Sequence, residues 1–238
     1  MPSTHLKRPL VAVAAMLLIA GTAACTGGDE ASPTPTLEPA PTGEVSDDGG
    51  AVPTTSAPDG DQVAGECTVQ EGDDSLPNEA PAVDGWETIG LTTAPASSDY
   101  GPFDRDKDLW RCYEHSATGA LFAATYAFAA MGQVNGFADS WVPEGDFHDQ
   151  VTEQEQTEAP ATDGTLTPAA YRYVSYTPEK AVIDVVSEFA NSDGSAYLSM
   201  RVALIWSDGQ WMVSAEDSSK DFTPLDSLDG YVEWTSNG

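Results

Sequence analysis

The chain has 238 residues, with 39 acidic residues against 9 basic ones and a formal net charge of −30. That balance excludes a general nucleic-acid binder, because phosphate contacts need Lys and Arg. Hydrophobic residues make up 40%. This is too many for a wholly disordered chain, and no apolar run reaches the ~20 residues of a membrane-crossing helix.

Residues 1–24 begin with a short basic stretch ending in Lys7 and Arg8, continue as an apolar stretch from Leu10 to Ala20, and finish on small residues before Cys25. This is the layout of a signal peptide, and its charges favour the cytoplasmic side. Small residues directly before a Cys resemble a bacterial lipoprotein signal. That pattern prefers an aliphatic residue three before the Cys, where this chain has Thr22. The resemblance implies a diacylglyceryl group on the Cys25 thiol and cleavage that makes Cys25 the mature N-terminus. The protein would then be lipid-anchored in the cell membrane on its extracytoplasmic face. Plain secretion, with cleavage after Ala24, is the other reading.

Residues 25–66 continue with Pro, Thr, Ser, Gly and acidic residues. From 26 onward this stretch has no aromatic residue, no Lys and no Arg. Nothing in it can build a packed core, so it reads as a disordered acidic tether. As flexible coil it reaches about 35 Å root-mean-square.

All 6 Trp, 8 Tyr and 7 Phe lie in residues 67–238, which are enough for one domain with a real core. Cys67 and Cys112 remain once Cys25 carries lipid. Outside the cytosol an even pair points to a disulfide, here closing a loop of about 46 residues and contributing about 4 kcal/mol in the chain-entropy model. Free or metal-binding thiols are the alternative, without a Cys-x-x-Cys pattern or clustered His to support them. Residues 73–101 are rich in Pro, Gly and Ser and read as an irregular segment pinned by Trp86 and the bridge.

Ser116–Gly132 reads as a helix: Ser116 can cap it, Leu121, Thr125, Phe128 and Met131 fall at helical spacing, and Gly132 or Gly136 can end it. Its scarcity of polar residues predicts burial against a sheet. Residues 139–166 carry eight acidic residues and no basic one. Both a short amphipathic helix and an acidic loop fit them. Tyr171–Tyr176 and Lys180–Phe189 read as strands broken near Pro178. Tyr197–Trp206 is a long strand with Leu198, Met200, Val202, Leu204 and Trp206 on one face, and Ser207–Gln210 turns it back into Trp211–Ser214. The expected class is α+β, a helix packed on a bent antiparallel sheet.

Little in the sequence points to chemistry. His115 precedes the expected cap beside Glu114. It reads either as a general base or, in the plainer view, as a residue satisfied by backbone at the helix start. His148 lies among acids in Asp146-Phe-His-Asp149 and reads as part of a solvated loop, without the further ligands a metal site needs. Asp104, Asp106 and Asp108 mimic the start of a calcium loop, but its Gly and Glu positions hold Leu109 and His115. No phosphate loop, nucleophile elbow or His-Glu-x-x-His is present. The expectation is a protein that is not an enzyme and needs no cofactor or metal.

The Trp206–Trp211 hairpin after a helix and long strands resembles the nuclear-transport-factor-like cone fold. The stretch Arg111–Ala120, where Gly119 and Ala120 open an Ala-rich helix, and the text YVSYTPEKAVIDV from Tyr173 to Val185 are similar to actinobacterial exported proteins of unknown function. Some of those are associated with conjugative elements. The likeness runs from about Trp86 to Ala215. It also extends to the membrane-anchored scaffold protein of type IV secretion and conjugation machines, which uses a membrane-spanning helix where this chain reads as using a lipid. The resemblance implies a non-catalytic interaction or scaffold module, with the membrane and a protein as partners. Its cone cavity implies a second reading, a carrier of small apolar ligands lined by Tyr126, Phe128, Tyr173, Trp206 and Trp211. Ordinary core packing is the alternative role for those five residues.

Overall fold

The computed structural model describes residues 67–238 apart from 163, 193, 220, 237 and 238. The expected signal peptide (1–24), the tether (25–66) and Cys25 lie outside the described residues.

Helix α1 (Ala117–Ala130) forms where the Ala-rich text predicts it. The Ser116 hydroxyl accepts the Gly119 N–H at 2.9 Å and supplies the N-cap. Gly132, at φ +71, turns the chain away after its last turn. Every residue of α1 except Thr118 is buried, so the helix has no solvent face. It lies against strands on one side and the Trp110–Tyr113 region on the other.

Those strands form one curled mixed sheet, a half-barrel, and the described residues are mostly sheet with some helix. Strands β1 (Gly85–Ile89) and β2 (Thr92–Ala96) make a hairpin. Residues 73–101 are therefore not irregular throughout: Gly90, at φ +57, makes the tight reversal between two Thr-bearing runs. A separate small hairpin pairs β3 (Asp104–Asp106) with β4 (Leu109–Arg111), so the acidic triplet that mimics a calcium loop is a strand and a turn.

After α1 come α2 (Phe137–Trp141) and α3 (Asp146–Thr157). The stretch read as helix or loop thus holds most of two helices. Phe137 and Trp141 bury one face of α2, and Val151 anchors α3. The Glu155 carboxylate on α3 accepts the N–H groups of Gly136 (3.0 Å) and Ala138 (2.7 Å), tying the two helices together.

The long strands follow: β5 (Thr165–Thr177), β6 (Lys180–Asn191), β7 (Gly194–Ser207) and β8 (Gln210–Val213), in the order β1-β2-β5-β6-β7-β8. They pair antiparallel, as expected, but β2 meets β5 in parallel (Thr92 beside Leu166), so the sheet is mixed. The helices provide the crossover such a pairing requires. β5 starts six residues before the expected Tyr171. A proline cannot donate to a ladder, and β5 accommodates Pro168 with a register slip between Pro168 and Ala170, where the Ala169 carbonyl accepts the Trp234 N–H at 2.9 Å.

The open margin of β7 beyond β8 is closed by the returning chain. The hydroxyls of Ser218 and Ser219 accept the N–H groups of Ala203 and Arg201, both at 2.9 Å. Strand β9 (Thr223–Leu225) then pairs with Tyr197–Ser199, and β10 (Val232–Glu233) pairs with β5. The core lies between α1 and the sheet. Leu121, Phe122 and Tyr126 of α1 meet Ile183 and Val185 of β6, Met200, Val202 and Leu204 of β7, and Trp211 of β8.

Candidate functional site

Many aromatic rings pack in or against the interior. Of the five residues expected to line a cavity, Tyr126, Phe128 and Trp211 are buried, and Tyr173 and Trp206 are half-buried against the core. Tyr126 is fully buried and stacks on Trp110 with centroids 5.3 Å apart. Its hydroxyl donates to the Asp108 carbonyl (2.8 Å) and accepts the Trp110 N–H (2.9 Å), and burial raises its pKa. Phe128 lies edge-on to Phe222. The Tyr173 hydroxyl donates to the Ala117 carbonyl at 2.6 Å. The Trp211 Nε1–H donates to the Glu114 carbonyl at 3.1 Å, and Trp206 stands edge-on to Trp211 at 5.2 Å.

The Cys67–Cys112 disulfide is present, with Cα atoms 5.3 Å apart. It fastens the start of the domain to the residues that lead into α1. From there a strap, residues 67–83, runs over β5 and the chain's C-terminal turn. The Tyr171 hydroxyl reaches the Pro77 and Glu79 carbonyls at 3.2 and 2.9 Å, and burial pushes its pKa up to about 12. The Trp234 Nε1–H donates to the Pro81 carbonyl at 3.0 Å. Trp86 packs edge-on to Trp234, as its expected pinning role requires.

His115 sits where the strap crosses the helix start. It has a backbone contact, as the plainer reading expects, with Nε2 2.7 Å from the Pro178 carbonyl oxygen. It also has what that reading omits: Nδ1 is 2.7 Å from Glu71 Oε2, and the ring stacks on Trp206 at 3.9 Å and 13°. Nothing in the spacing joins Glu71, His115, Pro178 and Trp206, because the strap's path is set by the disulfide. His148 is on α3 rather than in a loop, its Nε2 3.2 Å from Asp139 on α2. Among the described residues no group of three or more His, Cys, Asp or Glu is arranged to hold a metal.

Among the described residues, two neighbouring depressions open to solvent. One of about 680 Å³ runs between the strap and the β2–β3 connection and includes Asp73, Asp99, Tyr100, Phe103 and Glu114. The second, about 480 Å³, includes Asp84, Glu87, Phe103 and Arg105. They meet at Phe103, a residue that is 45% exposed. None of the five residues expected to line a cavity borders either depression.

A half-barrel of mixed strands around one buried helix, with shallow surface depressions, defines the class. The chain belongs to the family DUF8175, a domain of unknown function, whose model matches residues 44–233. The match begins at residue 44, within the stretch read as tether. No curated protein and no solved structure matches the chain.

Proposed function

We propose that this protein is a lipid-anchored, extracytoplasmic interaction module of the cell envelope or of conjugation machinery, and that it acts without catalysis. The observation that carries the reading is where the aromatic rings lie. Most of the aromatic rings pack against one another, while Phe103 is about half-exposed, as Phe222 is, and sits where two depressions meet. Contact with a protein partner at that surface uses what is exposed, whereas a carrier of apolar ligands needs the interior rings to separate. The Cys67–Cys112 bridge suits an oxidising compartment, and the lipoprotein-like text at Cys25 supplies the anchor. The curled sheet with α1 on its inner side is compatible with the cone architecture that the Trp206–Trp211 hairpin resembles.

Two experiments test this. Cells expressing the full chain with a photo-crosslinker in place of Phe103 are expected to yield a discrete adduct, whereas the same probe at exposed Val174 should not. Labelling with a radioactive fatty acid should mark the wild type and not Cys25→Ala. An unlabelled wild type removes the anchor, and equal crosslinking from both positions removes the docking surface.

A further inference from the structure

The strap is held to the start of α1 by three backbone bonds. The His115 N–H donates to the Gln70 carbonyl (3.1 Å), the Gly72 N–H to the His115 carbonyl (3.0 Å) and the Ala117 N–H to the Asp73 carbonyl (3.3 Å). Two side-chain contacts add to them, Tyr176 hydroxyl to Asp74 Oδ1 (2.7 Å) and Glu71 to His115 (2.7 Å).

The His115 ring faces an acceptor at each nitrogen. The Pro178 carbonyl can only accept, so Nε2 carries a hydrogen. Glu71 Oε2 lies 2.7 Å from Nδ1 as an ion-pair contact that does not meet hydrogen-bond geometry, and a carboxylate at that distance favours the charged ring. Neutral imidazole can keep its Nε2–H on Pro178 but gives Glu71 no charge to pair with, so only the imidazolium serves both partners at once. The indole face of Trp206 against the ring favours the same charged form.

We propose that His115 is a proton-operated latch: charged, it fastens the strap at Glu71–Asp74 to the Pro178 turn and the start of α1; neutral, it lets the strap lift.

The groups around it fit that role. The strap contributes Glu71 and Asp74. Strand β5 contributes Tyr176, itself within the field of Glu71, Asp74 and Glu179. Glu114, the neighbouring residue, accepts the Ser116 hydroxyl. The β7–β8 hairpin contributes the uncharged rings of Trp206 and Trp211. Lys180, which follows the Pro178 turn, is committed to Glu216 and Asp217. Burial is the largest single influence on His115 and disfavours its charge. Glu71, the Pro178 carbonyl and Asp74 together outweigh it, so its pKa lies above 6.5. A raised folded-state value means the latch is fully engaged below about pH 6.5 and is lost as pH rises through the raised value. Each unit of difference between the latched and released midpoints raises the strap's opening constant tenfold across the titration.

The test uses the full-length chain in detergent and does not depend on the anchor or on Phe103. The His115 ring resonances, assigned with His115→Gln, are titrated by NMR in the wild type and in Glu71→Gln. Exchange of the strap and α1-start amides, including Gly72 and Ala117, is followed between about pH 5.5 and 8.5 and corrected for intrinsic rates. The expected result is a wild-type midpoint above 6.5 that falls in Glu71→Gln. Strap exchange should rise with pH by the factor that midpoint gives, and the rise should vanish in His115→Gln. If that variant does not fold, Glu71→Gln against wild type carries the exchange comparison. A midpoint at or below 6.5, or corrected strap exchange that is flat with pH in the wild type, overturns the proposal.

Discussion

Asp184 offers a quantitative test of how the sheet is held. It is on β6, and the register places Arg172 of β5 and Arg201 of β7 directly beside it. Its side chain is 6% exposed. Arg172 Nη2 is 2.7 Å from Oδ2, and Arg201 gives Nε to Oδ1 at 2.8 Å and Nη2 to Oδ2 at 3.2 Å. Asp184→Asn keeps the shape, removes the charge and turns an NH₂ group towards guanidinium donors. Breaking a fully buried pair costs about 3–5 kcal/mol. Here the two arginine side chains are 46% and 41% exposed and can regain water, so we expect about 2–3 kcal/mol. With a urea slope of about 2 kcal/mol/M, the unfolding midpoint at pH 7 should fall by about 1 M with the slope unchanged.

Acid supplies a second check on the same variant. Burial is the largest influence on the Asp184 carboxyl and raises its pKa, but Arg201 and Arg172 together hold it below 3.8. A folded-state value below the unfolded one gives stability that is full above about pH 4 and fades as pH falls through the lowered value. The two proteins should therefore converge in stability below about pH 4. An unchanged midpoint at pH 7, or a gap that persists undiminished in acid, would refute the reasoning.

Three further outcomes follow from the fold. Gly119→Ala puts a methyl group onto the Glu114 carbonyl oxygen and should cost at least about 3 kcal/mol by thermal unfolding, far more than a helix-favouring substitution would suggest. Cys67→Ser with Cys112→Ser should lower stability by about 4 kcal/mol, measured against the oxidised wild type, because the bridge spans a sequence separation of 45 residues. Ser116→Ala removes the acceptor of the Gly119 N–H and should cost about 1 kcal/mol in the same assay.

The parts legible in the sequence are those whose signal is local. The Ala-rich run with Ser116 before it is α1, and the Ser-Asp-Gly-Gln turn between Trp206 and Trp211 is the β7–β8 hairpin. The parts that were not legible depend on distant partners. β1–β2 hides in Gly- and Pro-containing text because its register comes from the Gly90 turn and from packing of Trp86 on Trp234. Pro168 conceals the first six residues of β5 because only the Trp234 N–H, far along the chain, makes use of the bulged carbonyl. The acidic run over 139–166 gives no periodicity strong enough to choose a helix, since α3 buries only Val151 and is tied to α2 by the polar side chains of Glu155 and His148. His115 shows the same limit at the candidate site: its neighbour Glu114 was visible, but Glu71 and Trp206 reach it only through the fold.

The serine pair at 218 and 219 has one more consequence. A bare rim of main-chain donors invites another molecule to zip on, and sheet proteins grow into chains in that way. Here two hydroxyls occupy the rungs of β7 that β8 and β9 leave vacant, so that stretch of β7 offers no rail for a second molecule to extend.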